Sequence, residues 1–213
     1  MARKGQTMEE KVMTTREKIL FTSLRLFSQK GYDGVSMREI AAEVGIKGAS
    51  IYSHFKGKQN ILEAIFEEMT KRSQQIASHM EIPEFPEKEA AVFFEKAGEE
   101  LLLQMTEGLF HFYATDEFVV MFRKLLISEQ HKNAMAAKFL REYYLEAPIK
   151  YQTELFSNMQ KLGAFKGYEP EIMALHFYSP VYYTLCDYDL GAPYEECDKR
   201  LKAHVTNFCK IYQ

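Results

Sequence analysis

Residues 36–58, Ser36-Met-Arg-Glu-Ile-Ala-Ala-Glu-Val-Gly45-Ile-Lys-Gly-Ala-Ser50-Ile-Tyr-Ser-His-Phe55-Lys-Gly-Lys58, read as a helix, a glycine turn, a short second helix and the start of a third. Ser36 and Glu39 have the spacing of a capping box, in which each side chain satisfies the other residue's backbone N–H, so a helix is expected from Met37. Met37, Ile40, Ala41 and Val44 recur at helical spacing and predict its buried face. Gly45 follows the last of them, where a left-handed residue ends a helix at little steric cost. From Gly48 to Phe55 there is room for about two turns, with Ile51 and Phe55 facing inward at i and i+4. Ala49, Ser50 and Ser53 are small enough to face a groove, and Tyr52, His54, Lys56 and Lys58 carry donors suited to phosphates. Helices in this order place one across a DNA backbone and the next in the major groove.

The charge distribution supports that reading. The net charge of −3 divides into +5 over residues 1–58, with 11 Lys or Arg against 6 Asp or Glu, and −8 over residues 59–213. A basic end suits phosphates and an acidic body stays away from them. With 213 residues, 46% of them hydrophobic, the chain can build one or two globular domains. No apolar run approaches the roughly 18 residues that span a bilayer, and no apolar signal core follows Met1, so a cytoplasmic location without a membrane partner is expected. Cys186, Cys197 and Cys209 are odd in number and lack metal-ligand spacing; they are expected to be reduced and packed, with no metal and no disulfide. No phosphate loop, nucleophile elbow, zinc-protease motif or dinucleotide turn is present, so neither catalytic residues nor a cofactor are expected.

Residues 1–13 read as a flexible polar arm; its Arg3 and Lys4 could touch a groove, but disorder is the expected state. Thr14 and Glu17 form a second capping box, opening a helix to about Gln29 with Ile19, Leu20, Leu24 and Phe27 as its stripe. The small core of this head is predicted from Phe27, Tyr32, Val35, Ile40, Val44, Ile51 and Phe55. A long helix is expected over 58–80, striped by Leu62, Ile65, Phe66, Met69, Ile76 and Met80 and broken at Pro83–Pro86. Helices are further predicted over 87–107, with Ala91, Phe94, Ala97, Leu101 and Met105 in stripe, and over 116–130. Others follow over 133–162 with a kink at Pro148, 169–188 and 193–212. Leu109–Tyr113 alternates like a strand but lacks a pairing partner, and is expected to be a loop or helix end. The fold class is all-α, with a three-helix DNA-binding domain at 14–58, a linking helix at 58–80, and a larger helical domain over 59–213.

The 36–58 stretch resembles the DNA-binding module of the TetR-type (TetR/AcrR) bacterial transcriptional regulators. Ser36, Ala41, Gly45, Tyr52, His54, Phe55 and Lys58 fit that family's pattern, as does the run from Thr14 to Gly31. Lys47 departs from it: the position opening the short helix is commonly Ser, Thr or Pro, and lysine neither caps an N-terminus nor suits the positive end of the helix dipole. The resemblance implies a DNA-binding face of Ser36, Lys47, Gly48, Ala49, Ser50, Tyr52, His54, Lys56 and Lys58. Lys47, Ala49 and Ser50 are assigned to base edges; Tyr52, His54 and Lys58, assisted by Ser36 and Lys56, are assigned to phosphates. It also implies a body that binds a small-molecule effector and pairs into a homodimer over a palindromic DNA operator.

The body's sequence is rich in aromatic and methionine residues, and buried tyrosines need partners for their hydroxyls. A mostly apolar ligand with a few polar handles is expected to meet Met105, Phe110, Tyr113, Tyr144, Met159, His176, Tyr182 and Tyr183. The last helix carries Cys197, Leu201, Val205, Phe208 and Tyr212 in one stripe, and the helix before it is apolar on nearly every side. Ile172, Leu175, Leu201, Val205, Phe208 and Tyr212 are accordingly expected at a two-fold dimer interface. The expected function is a ligand-responsive repressor; the alternative is an activator or a protein-interaction module on the same fold.

Overall fold

The computed structural model describes residues 13–79, 87–161 and 163–212, except for the side chains of residues 76–79 and 87–97. The arm before Met13, the break at Pro83–Pro86, and the stripe positions Ile76, Met80, Ala91, Phe94 and Ala97 lie outside that description. Among the described residues all regular structure is helical. The chain divides into two units, Met1–Glu68 and Met69–Gln213.

In the first unit, helix α1 (Thr15–Lys30) opens on a complete capping box: Glu17 N donates to Thr14 Oγ1 at 3.2 Å, and Thr14 N to Glu17 Oε2 at 2.7 Å. Helix α2 (Met37–Val44) opens on only half of one. Glu39 N donates to Ser36 Oγ, but the Glu39 carboxylate turns to Lys30 Nζ at 2.5 Å instead of reaching back. A full positive charge outcompetes a backbone N–H for that carboxylate. Gly45 ends α2 at φ +78°, with Ile46 N donating to Ala41 O and Gly45 N to Ala42 O, the two bonds of a Schellman cap.

The segment expected to form a two-turn helix after Gly48 is a single 3₁₀ turn, Ser50–Ser53. No side chain caps its start, and Ser53 Oγ donates back to Ser50 O. Ile51 and Phe55 still point inward and are buried with Ile19, Leu24, Phe27, Val35, Ile40 and Ile61. The predicted core is therefore present, with Tyr32 and Val44 at its half-buried edge. Helix α3 (Lys58–His79) follows and continues past the boundary between the units.

The second unit contains helix α4 (Glu87–Thr115), helix α5 (Glu117–Glu129) and helix α6 (Ala134–Arg141). A π turn at Glu142–Glu146 leads into helix α7 (Ala147–Lys161), followed by helix α8 (Pro170–Asp189) and helix α9 (Tyr194–Ile211). Leu109–Tyr113 belongs to α4 rather than to a loop: Phe110 and Ala114 are buried one turn apart, and the helix ends only where Asp116 caps α5 by accepting from Val119 N. Around Pro148 the sequence kink becomes the π turn. Proline lacks the N–H that Tyr144 O would otherwise accept, and that carbonyl accepts from Tyr178 Oη of α8 at 2.9 Å.

Helix α8 packs against α4, α7 and α9. One apolar cluster joins Leu102, Phe156, Met159, Met173, Phe177, Val205, Phe208 and Tyr212; another joins Phe110, Tyr178, Val181, Leu185, Cys197 and Leu201. The α9 stripe is thus the core of its own chain. Leu201, Val205, Phe208 and Tyr212 are 1%, 0%, 3% and 5% exposed, which removes them from the expected dimer contact. Periodicity identified a buried face correctly but could not say which chain buries it.

Candidate DNA-binding face and ligand cavity

The loop and turn after α2 present one continuous exposed face. Lys47, Gly48, Ala49, Ser50, Tyr52, Ser53, His54 and Lys56 are all exposed, while Ile51 and Phe55 anchor the turn from below. Tyr52 is 53% exposed, unusual for a large ring without a packing role. At Gly48 an added Cβ would meet no described atom within 4 Å. Arg16 lies over the Phe55 ring at 4.7 Å, and Arg25–Glu43 and Lys30–Glu39 ion pairs tie α1 to α2. These exposed, solvent-screened pairs add little; buried Ile40, Ile51 and Phe55 hold the turn.

Two residues expected on that face are committed elsewhere. Lys58 Nζ donates to Tyr32 O at 2.6 Å and to Val35 O at 2.9 Å, and sits 4.3 Å from the Tyr32 ring centroid. Two of its three donors thus fasten the loop that leads into α2. Ser36 Oγ is likewise the α2 cap, although Ser36 remains exposed.

In the second unit a cavity of about 230 Å³ lies among five elements. Helix α3 contributes Ser73 to its wall; α4 contributes Leu102, Met105, Thr106, Leu109, Phe112 and Tyr113. The π turn gives Tyr143, α7 gives Ala147, Pro148, Tyr151, Gln152 and Leu155, and α8 gives Phe177 and Val181. Ser73 Oγ and Gln152 Oε1 are buried without a hydrogen-bond partner. Such an orphan costs about 1–3 kcal/mol. Thr106 Oγ1 is occupied in donating to Leu102 O. Tyr143 Oη pairs with Thr70 Oγ1 at 2.8 Å, which ties the second half of α3 to the π turn.

Burial pushes the Tyr113 hydroxyl up to about 12, so the phenol is neutral throughout the physiological range. Behind it, Arg123 is 1% exposed and makes a two-pronged pair with Asp189: Nε to Oδ2 at 2.6 Å and Nη2 to Oδ1 at 2.7 Å. Its remaining nitrogen donates to Tyr113 O at 2.8 Å. Each of its three nitrogens thus bonds across elements, joining α4, α5 and α8.

Of the eight residues expected to line a ligand site, Met105 and Tyr113 lie on the wall of this cavity. Phe110, Tyr144 and Met159 are fully buried in the surrounding core, with the Tyr144 ring 5.4 Å behind Tyr113. His176 hydrogen-bonds Tyr212 through Nδ1, Tyr182 stacks on Tyr178, and Tyr183 is 60% exposed beneath Arg200. None of these six is on the cavity wall. The polar handles Ser73, Thr106 and Gln152 were missed, because a lone serine, threonine or glutamine in a helix reads as solvent-facing. Their signal was spacing: Thr106 and Gln152 fall on the apolar faces of α4 and α7.

The fold and the exposed turn define a helix-turn-helix head with an all-helical body. Residues 19–65 match the family model described as "Bacterial regulatory proteins, tetR family". Over 48 residues the chain is 48% identical to the biofilm operon icaADBC negative transcriptional regulator IcaR of Staphylococcus aureus (strain Newman), covering 22% of this chain and 26% of that protein. Over 67 residues it is 42% identical to the transcriptional regulator AcrR of Shigella flexneri, covering 32% of this chain and 30% of that protein. The matches therefore span about a quarter to a third of these relatives' length. A solved structure of a SmeT–triclosan complex shares the fold over 94% of this chain and 92% of its own, at TM-score 0.70 and 17% identity. Residues 19–65 thus carry the DNA-binding domain of the TetR-type regulators, and the rest of the chain shares the fold.

Proposed function

We propose that the chain is a ligand-responsive transcriptional repressor. It binds a palindromic operator as a two-fold dimer and releases it when a small, mostly apolar effector fills the body's cavity. The observation carrying this reading is the pairing, in one chain, of an uncovered Lys47–Lys56 face with a body that leaves two orphan polar groups on the wall of an apolar cavity. Lys47, Ala49 and Ser50 meet base edges; Tyr52, His54 and Lys56 fix register through phosphates; Lys58 and Ser36 hold α2 in position. IcaR and AcrR are regulators, and SmeT has been solved with triclosan, which supports carrying both halves of the reading to this chain.

A dimer is supported by the outer face of α8. Ile172, Leu175 and Tyr183 are 50%, 42% and 60% exposed on a helix whose opposite side is core. Large apolar side chains grouped on one helix face favour a partner. Effector release needs only that the ligand prefer a body conformation with a different spacing of the heads, since a coupling of ~1–3 kcal/mol gives roughly 5–150-fold. Helix α3 is the natural carrier: Lys58 braces the head at its start, and Ser73 lines the cavity in its second half. A mobility shift with DNA from upstream of the chain's own gene tests the reading. Retardation by the wild type that is lost in a Tyr52→Ala/Lys56→Ala variant supports it, and equal behaviour of the two refutes it.

A further inference from the structure

Gln152 is 5% exposed, yet its Oε1 has no partner, and Ser73 Oγ of α3, on the wall of the same cavity, is in the same state. In a space meant only to be filled, leucine or methionine would serve better at both positions. Among the described residues of the cavity wall there is no Asp, Glu, Lys, Arg or His, and burial raises the Tyr113 and Tyr151 hydroxyl pKa values. An ion entering here would lose its hydration and meet no counter-charge. The volume of about 230 Å³ is about one and a half times that of a roughly 150 Å³ apolar cavity that accepts benzene. Phe112, Tyr113, Tyr143, Tyr151 and Phe177 all lie on its wall, and aromatic walls favour a flat aromatic guest.

We infer that the cavity takes a neutral aromatic molecule of one or two rings bearing a hydroxyl, held by hydrogen bonds to Ser73 and Gln152. This rests on reading the cavity as the effector site. A hydroxyl donates to Gln152 Oε1 and accepts from Ser73 Oγ–H with the same oxygen, which a carboxylate cannot do and a hydrocarbon cannot attempt. The bond to Ser73 also places the ligand's polar atom on α3, the helix that begins at Lys58.

Calorimetric titration of the full chain with 2-naphthol, naphthalene and 2-naphthoate tests this. 2-Naphthol is expected to bind about tenfold tighter than either analogue. Gln152→Leu and Ser73→Ala should each reduce its advantage over naphthalene while naphthalene itself binds no worse; Ser73→Ala, a small change, provides the result if Gln152→Leu fails to fold. Equal affinity for 2-naphthoate and 2-naphthol, an unchanged naphthol-to-naphthalene ratio in folded variants, or no binding of 2-naphthol by a chain that retards its upstream DNA would overturn the inference. Selective 2-naphthol binding without any effect on that DNA complex upholds the chemistry and removes the effector reading instead.

Discussion

Lys58 Nζ donates to the carbonyl of Val35 at 2.9 Å, across 23 residues of sequence. With the second bond to Tyr32 O, the first residue of α3 fixes the loop that delivers the α2 cap Ser36. The lysine that resembles a phosphate ligand in the sequence is a strut. Lys58→Met is therefore expected to destabilise the chain by about 1–3 kcal/mol, because two carbonyls lose a charged donor. Thermal melts report the loss, and the salt dependence of DNA binding by the remaining folded protein should keep its wild-type slope.

Lys56 makes the contrasting case. It is exposed on the face with Tyr52 and His54, and Lys56→Ala should leave the melting temperature unchanged. Its DNA affinity should fall similarly on all sequences, and the log–log salt slope should drop by about one. A changed sequence preference with an intact slope would place Lys56 at a base edge instead.

The Arg123–Asp189 pair is buried and joins α5 to the last turn of α8. Removing one partner strands a charge, so Asp189→Asn is expected to cost about 3–5 kcal/mol in denaturant unfolding. The double variant Arg123→Met/Asp189→Leu should recover a large part of that loss, since it strands no charge. If the single change costs less than 1 kcal/mol, the pair is not a strut of the cavity's rear wall.

His204 Nε2 donates to Phe177 O, and burial holds the imidazole below its ordinary value of 6.5. The unfolded chain then binds the proton first, so stability falls as pH drops through about 6.5. His204→Gln should flatten that part of the wild-type pH–stability profile. An unchanged slope between pH 7 and 5 would mean that His204 is protonated as readily folded as unfolded.

On α8, Leu175→Glu places a charge on the exposed apolar face without disturbing the core. Light scattering is expected to give a dimeric mass for wild type and a monomeric mass for the variant. Dimeric mass in both would move the interface elsewhere.

Much of the head was legible because its signals are local. Thr14 and Glu17 cap each other across one turn, and Gly45 adopts the left-handed geometry its position announced. Failures arose where distant groups compete for the same atoms. Glu39 chose Lys30 over the backbone of Ser36, and Lys58 chose carbonyls 23 and 26 residues away. In the body, the stripe of Leu201, Val205 and Phe208 was visible as an inward face, but the choice between self and partner depends on how α4, α7 and α8 pack around it. Spacing puts Gln152 on the apolar face of α7, but whether a lone glutamine there is buried is decided by neighbours on other helices.

Under the proposed function the Lys47–Lys56 turn reads duplex DNA as one half of a two-fold pair. A hydroxyl-radical footprint of the full chain on the DNA upstream of its own gene tests it most directly. Two protected patches related by a two-fold axis, with half-sites separated by roughly 34–36 Å or a multiple of it, are predicted, and both should vanish in Tyr52→Ala/Lys56→Ala. A single patch, or protection that persists in that variant, would contradict the account.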